Sequence, residues 1–328
     1  MNANMKKFEI THPQKRIWYN EMLFPNTSMH NIVSKISMGG NLDIDVLEKA
    51  INILIETNDA LRLKFCQNDG KLYQYLEEYE FIKIPFLDFS KYGSDSESNL
   101  NKFLEVESRE NLYNENKLLF KFFIYKINDY DMGVCFFVHH LIFDGRSCNI
   151  LLKELVEVYD NKDKGISKNS YIDFIKYEKN YLISKEFQEN KNFWKEKFLN
   201  LNKNSVCINF KDVKAKVKTV TLNRCISEEL KRYLNKNNIS LNKFFIALSS
   251  IYMSRVLRDN DISLAVLVFN RVESQRNTMG MFTGTMPLRL KLKDDMTFES
   301  FLKYLKRELK ECYHNQKYPY DLLVQEGM

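Results

Sequence analysis

The sequence predicts an α/β (α+β) fold, on three observations. Short apolar runs alternate with amphipathic stretches along the whole chain, polar turn signals punctuate them, and 328 residues exceed what one hydrophobic core usually serves. Leu47, Ile51, Leu54 and Ile55 recur at three- and four-residue spacing, the stripe of a helix. Leu61 to Cys66 and Leu72 to Leu76 flank Asn68-Asp69-Gly70, whose residues tolerate the left-handed angles of a tight hairpin. Leu118 to Lys126 and Met132 to His140 form a second adjacent strand pair across the polar turn Asn128 to Asp131. Within it, Met132 to Val138 (MGVCFFV) is apolar throughout, as a buried strand is. Leu151, Leu152, Leu155, Val158 and Tyr159 then predict an amphipathic helix over Ser147 to Tyr159.

The polar, Gly-containing run Asn161 to Asn169 (NKDKGISKN) has no apolar periodicity and is the expected boundary between two lobes, 1–165 and 166–328. Beyond it come a Tyr- and Lys-rich helical stretch, a basic loop near Lys211 to Lys218, and a helix over Leu241 to Leu257. A strand over Ile262 to Phe269 precedes Gly280 to Leu292, and a last helix carries Phe298, Phe301, Leu302, Leu305 and Leu309.

Composition narrows the function classes. Lysine and arginine total 49 against 43 acids, a net charge of +6. The two signs are interspersed and no basic stripe interleaves with stacking aromatics, so nucleic acid is not the expected partner. The cysteines at 66, 135, 148, 207, 225 and 312 show no CxxC spacing and read as reduced core residues. The N-terminal residues carry Lys6 and Lys7 without an apolar h-region, and no apolar run approaches a membrane span. A cytoplasmic protein that binds no membrane is expected.

The chemistry is written in His139-His140-Leu141-Ile142-Phe143-Asp144-Gly145, where the apolar strand breaks into a turn. Adjacent side chains on a strand point to opposite faces, so one imidazole should face a cavity and the other should pack. Histidine is the side chain best suited to exchange protons near neutral pH. Asp144 could accept a hydrogen bond from a ring, cap the following helix or pair with an arginine, and Gly145 permits a backbone angle that other residues resist. Without these neighbours, two satisfied core histidines would be the ordinary reading. A Cys-His nucleophile pair is disfavoured, because Cys135 lies on the strand and Cys148 enters the helix with no third partner. The histidines are neighbours rather than i and i+4, so no metal is expected.

These residues match the HHxxxDG signature of nonribosomal peptide synthetase condensation domains, in the chloramphenicol-acetyltransferase-like superfamily. Further segments resemble that family in order along nearly the whole chain. Thr11 to Tyr19 (THPQKRIWY) resembles SxAQxRLW, Asp59 to Phe65 (DALRLKF) the second half of RHExLRTxF, and Tyr171 to Phe198, with Trp194, the helical segment ending in a YWxxxL-like pattern. Asp261 to Arg271 (DISLAVLVFNR) resembles a strand ending in GR, Met279 to Arg289 (MGMFTGTMPLR) resembles VGxFVNTLPLR, and His314 to Val324 (HNQKYPYDLLV) resembles HQxxPFExLV. Thr57 and Asn58 replace the usual Arg-His, Asn270 replaces Gly, and Gly284 stands where Asn is usual.

The resemblance implies two acetyltransferase-like lobes in a V, with the active site at their junction. It implies amide formation from thioesters presented on the phosphopantetheine of donor and acceptor carrier (thiolation) domains, with no cofactor bound by the domain itself. It assigns the cavity-facing role to His140 and support to His139, Asp144 and Gly145. It also implies an Asp144 to Arg271 salt bridge across the lobe junction, a possible Gly145 N–H toward the oxyanion, a structural Arg62, and packing roles for Gln14, Arg16 and Trp18. Tyr318-Pro319-Tyr320-Asp321 normally lies well before the end of such a domain, so the second lobe reads as truncated, and its open edges could support a dimer. The alternatives are an epimerization domain, a stand-alone or chain-initiating acyltransferase using coenzyme A thioesters, and a non-catalytic recruitment domain. A heterocyclization domain is disfavoured by His139, where that subclass carries Asp.

Overall fold

A computed structural model describes residues 6–160, 170–200 and 218–327. The expected lobe boundary within 161–169, most of the basic loop near Lys211 and Cys207 lie outside the described residues. The chain divides into two compact units: residues 1–186 with 269–284, and residues 187–268 with 285–328.

In the first unit the elements run β1 (Lys7–Glu9), α1 (His12–Leu23), β2 (Asn31–Ser37), α2 (Ile44–Thr57), β3 (Leu63–Asn68), β4 (Lys71–Leu76), β5 (Phe86–Asp88), α3 (Ser96–Ser108), β6 (Phe120–Asn128), β7 (Asp131–His139), α4 (Gly145–Tyr159) and α5 (Tyr171–Leu182). One sheet has the order β1-β4-β3, and the other β2-β7-β6-β5. The β3–β4 hairpin turns on Asp69 and Gly70, both at positive φ, as the Asn-Asp-Gly signal predicts.

Strand β7 is paired on both edges and covered on both faces, which explains its unbroken apolar run. Val134, Phe136 and Val138 join the core that holds Leu47, Leu54 and Ile55 of α2 and Leu151 and Leu155 of α4. Cys135 and Phe137, one residue out of phase, join a second core with Leu100 of α3 and Tyr125 of β6. Each such fully buried aromatic or aliphatic side chain is worth roughly 1.5–3 kcal/mol. Gly133 marks where β2 crowds β7: a Cβ there would stand 1.9 Å from the Ile36 carbonyl oxygen. Gly133→Ala is therefore expected to cost at least about 1–3 kcal/mol by overpacking, read as a lower midpoint in denaturant unfolding.

The second unit contains most of α6 (Lys185–Lys197), then α7 (Arg224–Lys236), α8 (Leu241–Leu257), β8 (Asp261–Val268), β9 (Gly284–Lys291), α9 (Phe298–His314) and α10 (Tyr320–Gln325). Strands β8 and β9 pair. Trp194, Val266, Leu288, Phe301, Leu305 and Leu309 form its core. The Trp194 indole N–H donates to the Asn315 carbonyl at 2.9 Å, and buried Arg289 donates to Asp261 at 2.8 Å and to the Leu199 carbonyl at 2.9 Å. Helix α8 leaves Leu241, Phe245, Leu248, Tyr252 and Val256 exposed at three- and four-residue spacing. No helix among the described residues is long and apolar enough to cross a membrane.

Candidate active site

Strand β7 ends at His139, and His140 is the first residue of the turn that follows. The two imidazoles part company because the strand stops between them, rather than through pleat alternation alone. His139 is 0% exposed. Its Nδ1 accepts the Leu141 backbone N–H at 3.2 Å, so the neutral ring carries its proton on Nε2 and donates to the Glu21 carboxylate at 3.1 Å. Glu21 sits on the buried face of α1 with Gln14, Ile17 and Trp18. Gln14 is a specific fastener of the turn: its side-chain amide donates to the Leu141 carbonyl and to Gln74, each at 2.9 Å.

His140 is only partly buried, and its backbone N–H donates to the His30 carbonyl at 2.8 Å. Its Nδ1 is enclosed without a hydrogen-bond partner. Burial lowers the pKa of this imidazole below the ordinary histidine value, an effect that Arg16 reinforces and Asp144 opposes. His140 is thus a free base at neutral pH.

Asp144 is 0% exposed and caps α4, accepting the Ser147 backbone N–H at 3.0 Å and its hydroxyl at 2.9 Å. Arg271 grips the same carboxylate through two bonds, Nη1 to Oδ2 at 2.7 Å and Nη2 to Oδ1 at 2.8 Å. The backbone N–H groups of Phe282 and Thr283 donate to Oδ2 at 3.2 Å, and the Thr283 hydroxyl at 3.1 Å. Burial alone would raise the Asp144 pKa, but Arg271 and Ser147 outweigh it and hold the carboxyl below its ordinary range. The Arg271 guanidinium also lies 4.2 Å from the centre of the Phe282 ring. Arg271 belongs to the same compact unit as Asp144, because residues 269–284 return to the first unit; the pair does not span the two.

Asn270 adopts φ +46°, a left-handed angle that Asn tolerates nearly as Gly does, which accounts for that exchange in the motif. Gly280, at φ +147°, lies so close to Tyr171 that a Cβ would stand 2.1 Å from the ring. Gly145 differs from expectation: it has no positive φ, and a Cβ there would meet nothing within 4 Å, so neither backbone angle nor crowding requires glycine. Arg62 is structural in its contacts, donating to the carbonyls of Ile55 at 3.1 Å and Glu77 at 2.8 Å. Asn58, at a departure from the family pattern, donates to Glu154 at 3.1 Å, and Asp59 accepts the Tyr171 backbone N–H at 2.7 Å at the start of α5.

Burial pushes the Cys135 thiol up to about 12 and the Cys148 thiol up to about 11, so neither is a thiolate at neutral pH. Cys66 and Cys312 are likewise buried, whereas Cys225 is exposed, against the expectation of a core residue.

The sequence profile described as Condensation domain matches residues 4–327. The chain belongs to the condensation-domain family. Amide-forming acyl transfer is the general chemistry of that family. Among curated relatives, it is 30% identical over 337 residues to surfactin synthase subunit 1 of Bacillus subtilis (strain 168), and 24% identical over 326 residues to bacitracin synthase 2 of Bacillus licheniformis. Each alignment covers 97% of this chain but only 9% and 12% of those much longer proteins, respectively. The first condensation domain of the calcium-dependent antibiotic synthetase, solved with substrate analogue 2a, superposes with a TM-score of 0.83 at 18% identity, over 98% of this chain and 77% of that one. The starter condensation domain of rhizomide synthetase RzmA gives 0.80 at 20% identity, over 98% and 76%.

Two residues beside the motif escape sequence reading. Glu21 carries a signal, a carboxylate seven residues after Gln14 on a buried helical face. His30 carries none: it lies in the polar approach to β2 and reaches the site because Asn31 pairs with His139 in the β2–β7 register. Burial, with help from His139, lowers the His30 pKa to about 4. The folded chain therefore resists protonation at a site where the unfolded chain accepts it from about pH 6.5 downward. Stability is full above that point and is expected to fall by on the order of 2 kcal/mol between pH 6.5 and 4, allowing for partial exposure. Unfolding midpoints measured across that window in the native chain and His30→Phe check this, the variant showing the shallower decline.

Proposed function

We propose that this condensation domain moves an acyl or peptidyl group from a carrier-bound thioester to the amine of an acceptor aminoacyl substrate. The observation that carries the reading is His140, a neutral, partly open imidazole on a turn that Asp144, Arg271 and Gln14 clamp. The acceptor nitrogen attacks the thioester carbonyl, a C–N bond forms, and the C–S bond breaks. With Nδ1 enclosed, Nε2 of His140 is the ring nitrogen left to accept the proton the amine gives up. The departing pantetheine sulfur takes that proton, and His140 returns to its starting form. Holding the amine in line contributes on the order of several kcal/mol beside proton transfer. Donor and acceptor carrier domains are the partners, their phosphopantetheine arms the substrate handles, and the compartment is the cytoplasm.

The test is mass spectrometry of loaded donor and acceptor carrier proteins mixed with the chain. New amide on the acceptor carrier is expected. Exchange at the donor α-carbon without transfer would replace this reading with epimerization, and transfer from an acyl-coenzyme A in place of the donor carrier would make the chain a chain-initiating acyltransferase.

A further inference from the structure

We infer that His30 is a positioning residue for the reaction: its ring walls His140 off from water on the side where β2 begins. This deepens the proposed function, since it rests on His140 as the group that meets the amine. His30 is 8% exposed. Its carbonyl holds the His140 backbone N–H at 2.8 Å, and its ring stands edge-on to His140 at 6.5 Å between centres and to His139 at 6.0 Å. The three imidazoles thus form one packed cluster at the end of the core strand.

The His30 ring nitrogen Nε2 is enclosed and has no hydrogen-bond partner. A buried polar atom in that condition costs free energy, so Nε2 does not hold the ring in place. What the side chain supplies is bulk at one place. The groups acting on it are Arg16 and Glu21 from α1, His139 from the end of β7 and His140 from the turn after it, and the Glu21 carboxylate is already bonded to His139. Desolvation is also the largest cause of the lowered pKa of His140. A wall of aromatic bulk beside that ring maintains the desolvation, so the imidazole stays a free base at pH values where an open histidine would begin to charge.

The experiment is a titration of the His140 ring resonances by NMR in the native chain, His30→Ala and His30→Phe, with the pH profile of amide formation measured on the same three proteins. In His30→Ala water reaches His140, and its midpoint is expected to move up toward the ordinary histidine value. The acid limb of the rate should shift with it while the alkaline plateau is kept. His30→Phe restores the bulk without the ring nitrogens and is expected to return both toward native. An unmoved His140 midpoint in His30→Ala overturns the inference, as does His30→Phe shifting like His30→Ala. The NMR midpoint is read without turnover, so it stands even if His140→Ala should prove active and overturn the proposed function instead.

Discussion

His140→Ala is expected to lower the rate of amide formation by about 10²–10⁴, the range that a positioned proton acceptor contributes, with the fold left intact. The side chain is partly open, and the Gln14 bond to the Leu141 carbonyl that fastens the turn does not involve it. The backbone N–H that holds the turn to the His30 carbonyl remains in the variant. Single-turnover formation of acceptor-bound amide, beside denaturant unfolding of the same sample, separates the two readouts. A rate within about tenfold of native would remove His140 from proton transfer and leave it a positioning role at most. The native rate should hold as pH falls to 6.5 and decline only as pH passes through the folded pKa of His140, which lies below the ordinary histidine value, because the free base is the competent form.

Asp144→Ala is expected to have the opposite profile, a loss of stability first and of rate as its result. The pair is buried on both sides, with side-chain exposures of 0% for Asp144 and 4% for Arg271. Removing one partner of such a pair costs about 3–5 kcal/mol, because the surviving charge stays buried and uncompensated. Here the loss also strands the N–H groups of Phe282 and Thr283 and uncaps α4 at Ser147. Against a typical total of about 5–15 kcal/mol, that threatens the fold itself. Removing Arg271 as well, as Arg271→Leu in the Asp144→Ala background, should recover part of the loss, since the stranded guanidinium is gone. Equal unfolding midpoints for native and Asp144→Ala would show that the pair holds nothing. The same carboxylate sets a second acid limit: its pKa is lowered, so its stabilisation is complete above the unfolded value near pH 3.8 and is lost as pH falls through the lower folded one.

The local elements were legible because their signals are local. A 3.6-residue stripe puts Leu47, Ile51, Leu54 and Ile55 on one face whatever they pack against, and α2 buries all four. The stretch Leu241 to Leu257 forms α8 with the same bounds, fixed by Ser240 capping one end and Arg258 at φ +52° closing the other. Strand β7 was legible too, and its unbroken apolar run finds its cause in two covering cores. The reading of Gly145 did not hold, because a glycine opening a helix at ordinary φ looks in sequence like a glycine that a turn requires. Gly133 and Gly280, which close contacts do require, have no local mark of that duty.

By itself, then, the sequence determined the elements, the ordered motifs and the pairing of a histidine dyad with a downstream Asp-Gly, because periodicity, turn chemistry and motif order are properties of neighbouring residues. Only the tertiary structure decided what stands around that dyad. Register brings His30 beside His140, a helix turn brings Glu21 to His139, and the returning segment 269–284 lays Arg271, Phe282 and Thr283 on Asp144 inside one unit. Those contacts join residues about a hundred or more positions apart, where loop-closure entropy is overcome by the assembled core and not by any signal in the intervening chain.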